Sequence, residues 1–195
     1  AALPWELLYD ETLNRFLALD HNTPIVRFVR VPITPLPLLQ DLPLRLLFTG
    51  ASPSNLTPLD VTGEGADIKT ALMPVVAAGK LRVEVITPRA TLNAILAELQ
   101  RGVDLWHFAG HGNSNELIFC DAYGQSLASQ ADKLGQLLAG EGVRLAVLNA
   151  CLTGAGGGQA ASVAGALVRT GLSAVVANQA EISDVAARTF SAAFY

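Results

Sequence analysis

The chain has 195 residues, 51% hydrophobic and 15% charged, with 13 Lys and Arg against 17 Asp and Glu for a formal charge of −4. That length suits one domain with its own core, and the lack of any Lys/Arg run argues against nucleic acid as a partner. No apolar stretch reaches the roughly 18–20 residues of a membrane helix, no basic-then-apolar leader opens the chain, and two cysteines make no disulfide framework, so a cytoplasmic setting with free thiols is expected.

Residues 1–23 read as a short amphipathic lead-in, with Leu7, Leu8, Leu13, Phe16 and Leu17 set between polar positions. Residues 25–31 alternate as a strand would, and a proline-rich connector with Pro32, Pro35, Pro37 and Pro43 follows, which cannot be helical. The main unit is expected over 44–195, with 1–43 as its lead-in and connector, all within one domain. Its first strand is 44–49, followed by the loop Ala51-Ser52-Pro53-Ser54-Asn55 and a helix over 60–78. A strand at 81–87, a helix at 90–101 with Leu92, Ile95, Leu96 and Leu99 on one face, and a buried strand at 103–109 come next. A short hairpin around 121–124, a helix at 129–139, a strand at 144–149, a glycine-rich loop, a small-residue helix reaching Arg169, a strand at 173–177 and a helix from Ser183 complete the chain. Strands alternating with helices imply parallel pairing, hence an α/β fold: a helix–sheet–helix sandwich around a mostly parallel sheet. The first residue is not Met and the last helix runs on without a cap, so the chain is expected to be part of a longer protein.

Reactive groups in an open parallel sheet sit beyond the carboxyl ends of its strands. Two such ends carry chemistry here: Trp106-His107-Phe108-Ala109-Gly110-His111-Gly112, and Ala146-Val147-Leu148-Asn149-Ala150-Cys151 before the glycines 154 and 156–158. If the two strands are neighbours, His111 stands beside Cys151, where an imidazole can activate a thiol that alone is only a few per cent thiolate at neutral pH. Gly112 leaves room for a substrate carbonyl, and its N–H with that of Cys151 can serve the developing oxyanion, at roughly 3–4 kcal/mol per donor.

These motifs resemble the caspase-like peptidases of the separase, gingipain and caspase clan, and within it the bacterial CHAT domain. His111-Gly112 and Ala150-Cys151 match the clan's two strand ends. Leu3-Pro4-Trp5-Glu6-Leu7-Leu8-Tyr9-Asp10, Ala51-Ser52-Pro53, Pro58-Leu59-Asp60, Leu148-Asn149-Ala150-Cys151 and Ile182-Ser183-Asp184 match CHAT landmarks in order, so the likeness spans nearly the whole chain. It implies a cysteine endopeptidase with His111 as base, Cys151 as nucleophile and Gly112 in the oxyanion site. It also implies an S1 pocket built partly by residues 178–184, with Asp184 as the better match for the acid facing a basic P1 side chain, ahead of Glu181 and Asp60. Ala180 stands where the family often has an aromatic residue or proline, which changes the wall of that pocket. The implied substrate is a specific partner protein, and the implied neighbour in the full-length chain a helical-repeat or regulatory region.

Other readings compete at individual residues. Cys120 in Leu117-Ile118-Phe119-Cys120 reads as core, His107 as a packed strand residue and His21 as a surface one. His107 and His111, four apart on a strand, stand roughly 13 Å apart, too far for a shared metal. No metal or cofactor is expected. Asp184 suits a helix N-terminus equally well. The glycine loop after Cys151 raises a nucleotide-binding alternative, but its spacing misses G-x-G-x-x-G and no Walker lysine follows. A catalytically silent interaction module is the other alternative. A serine hydrolase is set aside for want of a G-x-S-x-G elbow, and no third residue is placed to orient His111.

Overall fold

The computed structural model describes residues 5–20, 25–29, 42–151, 153–154 and 162–195. The lead-in folds on itself. A 3-10 turn, Trp5–Leu7, precedes strand β1 (Tyr9–Asp10), which pairs antiparallel with β2 (Arg15–Phe16) ahead of a second turn, Leu17–Leu19. Asp10 holds the hairpin's turn by accepting from the N–H groups of Thr12 and Leu13, and Asn14 takes the left-handed φ of 49° that Asn tolerates. Leu7, Leu8, Leu13 and Phe16 stay exposed, so the lead-in adds little to the core.

Residues 25–29 alternate between half-buried and exposed, as a strand would, yet among the described residues they pair with no other strand. The expected strand at 25–31 is therefore corrected over its described part: alternation reports one-sided burial, and a strand needs a neighbour's ladder as well. Pro32, Pro35, Pro37 and His21 lie outside the described residues.

From Leu44 the chain alternates strand and helix. Its elements are β3 (Leu44–Ala51), α1 (Val61–Ala71), α2 (Met73–Ala77), β4 (Leu81–Ile86), α3 (Leu92–Leu99), β5 (Leu105–Gly110), β6 (Glu116–Cys120) and β7 (Ser126–Gln130). After these come α4 (Ala131–Gly140), β8 (Leu145–Asn149), α5 (Val163–Arg169), β9 (Ala174–Ala177) and α6 (Asp184–Phe194). β4, β3, β5, β8 and β9 form, in that order, one five-stranded parallel sheet, while β6 and β7 form a separate hairpin. The expected helix over 60–78 is two helices. Pro74 has no N–H to continue α1, but in the first turn of α2 that donor is not required. Ser129 belongs to β7 rather than to the helix after it.

Side chains two apart on a strand share a face, and this sorts the core into two layers. Leu47, Trp106, Phe108, Ala146 and Leu148 face α3, α4, α5 and the hairpin's Leu117, Phe119 and Cys120. Leu46, Phe48 and Ala109 face the other way, onto Val61, Ile68 and Leu72 along α1, with Tyr195 beside them. Each fully buried Phe or Leu contributes roughly 1.5–3 kcal/mol. Gly65 lets α1 lie directly on Phe48, since a methyl group there would come within 2.9 Å of that ring. The same alternation turns His107 and Asn149 toward α1 and α6, underneath the strand ends that matter for chemistry.

Candidate active site

β5 and β8 are adjacent and parallel, with Ala109 opposite Asn149 as the last pair. Two residues further along each chain are His111 and Cys151. The ladder ends there, and both residues follow at the carboxyl end of the sheet.

β5 stops at Gly110, where a methyl group would lie 2.9 Å from the Ala51 carbonyl oxygen, so only glycine lets the ends of β3 and β5 close up here. The chain then crosses to β6: Gly112 bridges to Leu117, and the Ile118 N–H donates to the His111 carbonyl at 3.0 Å. A trans peptide points its C=O and N–H in opposite directions. With the His111 carbonyl directed at β6, the Gly112 N–H is directed away from it. Gly112 also packs closely on the Cys151 turn, its position for a methyl lying 3.2 Å from Ala150 Cβ and 3.1 Å from Thr153 Cγ2.

His111 Nε2 is 2.8 Å from the Thr57 carbonyl oxygen. A carbonyl only accepts, so Nε2 carries the proton, and in the neutral ring Nδ1 holds the lone pair. The orienting group that the sequence did not reveal is therefore main chain, in the loop before α1. A carbonyl oxygen has no residue-type signature, which is why no motif announced it.

Cys151 occupies a partly exposed turn after Ala150, and its Sγ lies 4.0 Å from the Ile182 carbonyl, so the sulfur faces the loop after β9. Among the described residues no hydrogen bond joins it to His111. Cys120, by contrast, is buried in the core, where desolvation pushes its thiol pKa up. The glycines 156–158 lie outside the described residues.

Of the acidic S1 candidates, Asp60 and Asp184 both lie near Arg188. Asp60 is the N-cap of α1, accepting from Gly63 N–H at 2.9 Å, and its other oxygen pairs with Arg188. Arg188 also binds Asp67 at 2.6 Å. Asp184 sits in the first turn of α6, behind its Ser183 cap, and lines a surface cavity of about 600 Å³ with Asp67, Arg188 and Thr189. Glu181 is exposed and precedes Ile182 in the chain.

The loop carrying these residues is tied down from outside and from below. Outside, Arg27 grips Glu6 through two 2.7 Å bonds, and Gln179 completes the ring by donating to Glu6 at 2.7 Å and accepting from Arg27 at 3.1 Å. The hydrogen bond from Arg27, more than any other influence, lowers the Glu6 pKa to about 2. Below, Glu64 of α1 is only 3% exposed and receives three donors on Oε1: His107 Nε2 at 3.1 Å, Asn149 Nδ2 at 2.7 Å and Ser191 Oγ at 2.6 Å. Burial pushes the Glu64 pKa up, but the hydrogen bond and charge of His107, with the bonds from Ser191 and Asn149, outweigh it and hold the carboxyl below its ordinary value. His107 is thus more than a packed strand residue. Its Nδ1 lies 3.0 Å from the Tyr195 hydroxyl. A sequence signal for Glu64 did exist: it falls on the stripe of Val61, Gly65 and Ile68 that α1 buries.

The family model for the CHAT domain matches residues 1–195. This chain belongs to the CHAT domain family. Its caspase-like, peptidase-related fold agrees with the five-stranded parallel sheet and flanking helices. A search of curated proteins found no match. Among the described residues of this CHAT domain no group of three or more His, Cys, Asp and Glu could hold a metal ion, and no helix is long and apolar enough to cross a membrane.

Proposed function

We propose that this CHAT domain is a cysteine endopeptidase acting on a partner protein through His111 and Cys151. The observation that carries the reading is the β5–β8 pairing, which ends at Ala109 and Asn149, two residues before His111 and Cys151. Nδ1 of His111 takes the thiol proton while the Thr57 carbonyl holds Nε2–H. The Cys151 thiolate attacks the scissile carbonyl carbon, and the resulting oxyanion is met by the N–H groups of Gly112 and Cys151. His111 returns the proton to the leaving amine, and water then cleaves the thioester to free the acid and restore the thiol. Apo geometry commonly leaves such pairs short of hydrogen-bonding contact until substrate binds.

For the S1 pocket, Asp184 is the first candidate, with Glu181 behind it. Asp60 ranks lower, because its carboxylate already serves both Arg188 and the cap of α1. Two free thiols suit a reducing, cytoplasmic setting. A helical-repeat or regulatory region elsewhere in the full-length protein would present the substrate.

Iodoacetamide labelling near neutral pH, read residue by residue by mass spectrometry, tests the assignment. Cys151 should label readily and His111→Ala should slow it by about 10²-fold, the scale of one acid–base group. Equal rates with and without His111 would instead favour a catalytically silent interaction module.

A further inference from the structure

Glu64, Asn149, Ser191, His107 and Asn178 join four secondary-structure elements and the loop after β9 beneath the proposed active site. Asn149 is the centre of the connection. Its amide nitrogen donates to Glu64 and, at 3.0 Å, to Ser191 Oγ, while its oxygen accepts from Asn178 Nδ2 at 3.1 Å. The amide orientation is forced, because an ionised carboxylate offers only acceptors. Asn178 is held a second time through its backbone: its carbonyl accepts from Gly154 N–H at 2.7 Å. The two ties fall on either side of Cys151, one two residues before it and one three residues after.

We infer that the Glu64-anchored cluster is a positioning device that clamps the base of the substrate loop, at Asn178, to both flanks of the Cys151 turn, so that nucleophile and specificity loop keep one mutual geometry. The inference rests on the reading of Cys151 as nucleophile and of 178–184 as substrate loop. Glu64 fixes Asn149, and Asn149 fixes Asn178. A buried carboxylate is costly to keep, and a fixed register between two moving parts is the best attested use of such groups. The Ile182 carbonyl facing the Cys151 sulfur is the far end of the same loop, so slack at Asn178 is felt where substrate must bind.

The test uses the whole chain with Asn178→Ala, which cuts the side-chain tie of the clamp at a half-buried position and leaves its backbone tie to Gly154, and Glu64→Gln, which disturbs its anchor. Hydrogen–deuterium exchange reads the loop directly. A peptidyl acyloxymethyl ketone with arginine at P1 reads the site, through its half-saturating concentration and its limiting inactivation rate. Asn178→Ala should speed exchange over 179–183 by roughly five- to tenfold, the equivalent of one net hydrogen bond, and raise the half-saturating concentration by a similar factor. Its limiting rate should stay within about twofold of wild type, because the Cys151 and His111 side chains are untouched. Glu64→Gln should speed exchange over 149–154 as well. Unchanged exchange over 179–183 in Asn178→Ala, or an increase spread evenly over α1 and β3, would overturn the inference. Should the ketone fail to inactivate wild type, the basic-P1 reading fails; if iodoacetamide also leaves Cys151 unlabelled, the peptidase reading fails by itself, and the exchange data alone still decide whether the clamp exists.

Discussion

Removing the Glu64 side chain by Glu64→Ala deletes the acceptor shared by His107 Nε2, Asn149 Nδ2 and Ser191 Oγ. Asn149 keeps a partner in Ser191 Oγ, but the His107 N–H and the Ser191 hydroxyl both lose theirs inside the protein. Two orphaned buried donors at roughly 1–3 kcal/mol each give about 2–6 kcal/mol. Relief from burying the charge offsets part of that, and removal of one member of a buried pair generally costs about 3–5 kcal/mol. Against a domain stability of roughly 5–15 kcal/mol this is a large fraction. Urea unfolding followed by circular dichroism should show the midpoint falling by about 1–2 M at an unchanged slope, taking a slope of roughly 2–3 kcal/mol per molar. Glu64→Gln, which keeps an acceptor oxygen, should fall between wild type and Glu64→Ala. A Glu64→Ala midpoint within about 0.3 M of wild type would mean that the carboxylate satisfies nothing the core depends on, and the reasoning would be refuted.

The same carboxylate makes stability depend on acid. Because the folded protein holds Glu64 below its ordinary 4.5, the unfolded chain takes up the proton first, so the contribution is complete above that value and is lost as pH falls beneath it. Urea midpoints measured from pH 6 downward should therefore decline less steeply below pH 4.5 in Glu64→Gln than in wild type. Gly112→Ala should slow inactivation by the peptidyl ketone at least tenfold and cost about 1–3 kcal/mol, as overpacking does. The added methyl would sit 3.1–3.2 Å from Thr153, Ala150 and Leu117, so those neighbours must give by a few tenths of an ångström; a variant that reacts like wild type would count against Gly112 as the oxyanion position. Arg27→Ala opens a partly exposed ring worth about 1 kcal/mol, so exchange near Gln179 should rise several-fold with little change in the urea midpoint. Sodium chloride at 1 M, where screening acts within about 3 Å, should reproduce much of that rise in wild type and add little in the variant.

Much of the architecture was legible because hydrophobic pattern reports secondary structure directly. The short, branched apolar runs that became β3, β5 and β8 read as strands of a sheet covered on both faces, and the alternation of strand and helix called for parallel pairing. Boundaries were less legible where a single residue decides them: Pro74 divides what looked like one helix, and residues 25–29 have the rhythm of a strand without a partner. The lead-in's apolar residues did not announce that they would stay exposed around a small hairpin.

For the candidate site, residue types and their places at strand ends were in the chain itself, since chemistry needs a thiol, an imidazole and a glycine whatever surrounds them. The order of strands was not. Only the folded sheet brings β5 beside β8, so that the chain segments bearing His111 and Cys151 leave neighbouring strands. Only the fold aims the Thr57 carbonyl at Nε2 and gathers Glu64, Asn149 and Ser191, up to 127 positions apart in sequence, around one buried oxygen. Local sequence sets which groups exist and which face each one takes, because those depend on near neighbours along the backbone; which distant groups meet is settled by packing, where the total burial of many side chains selects one arrangement.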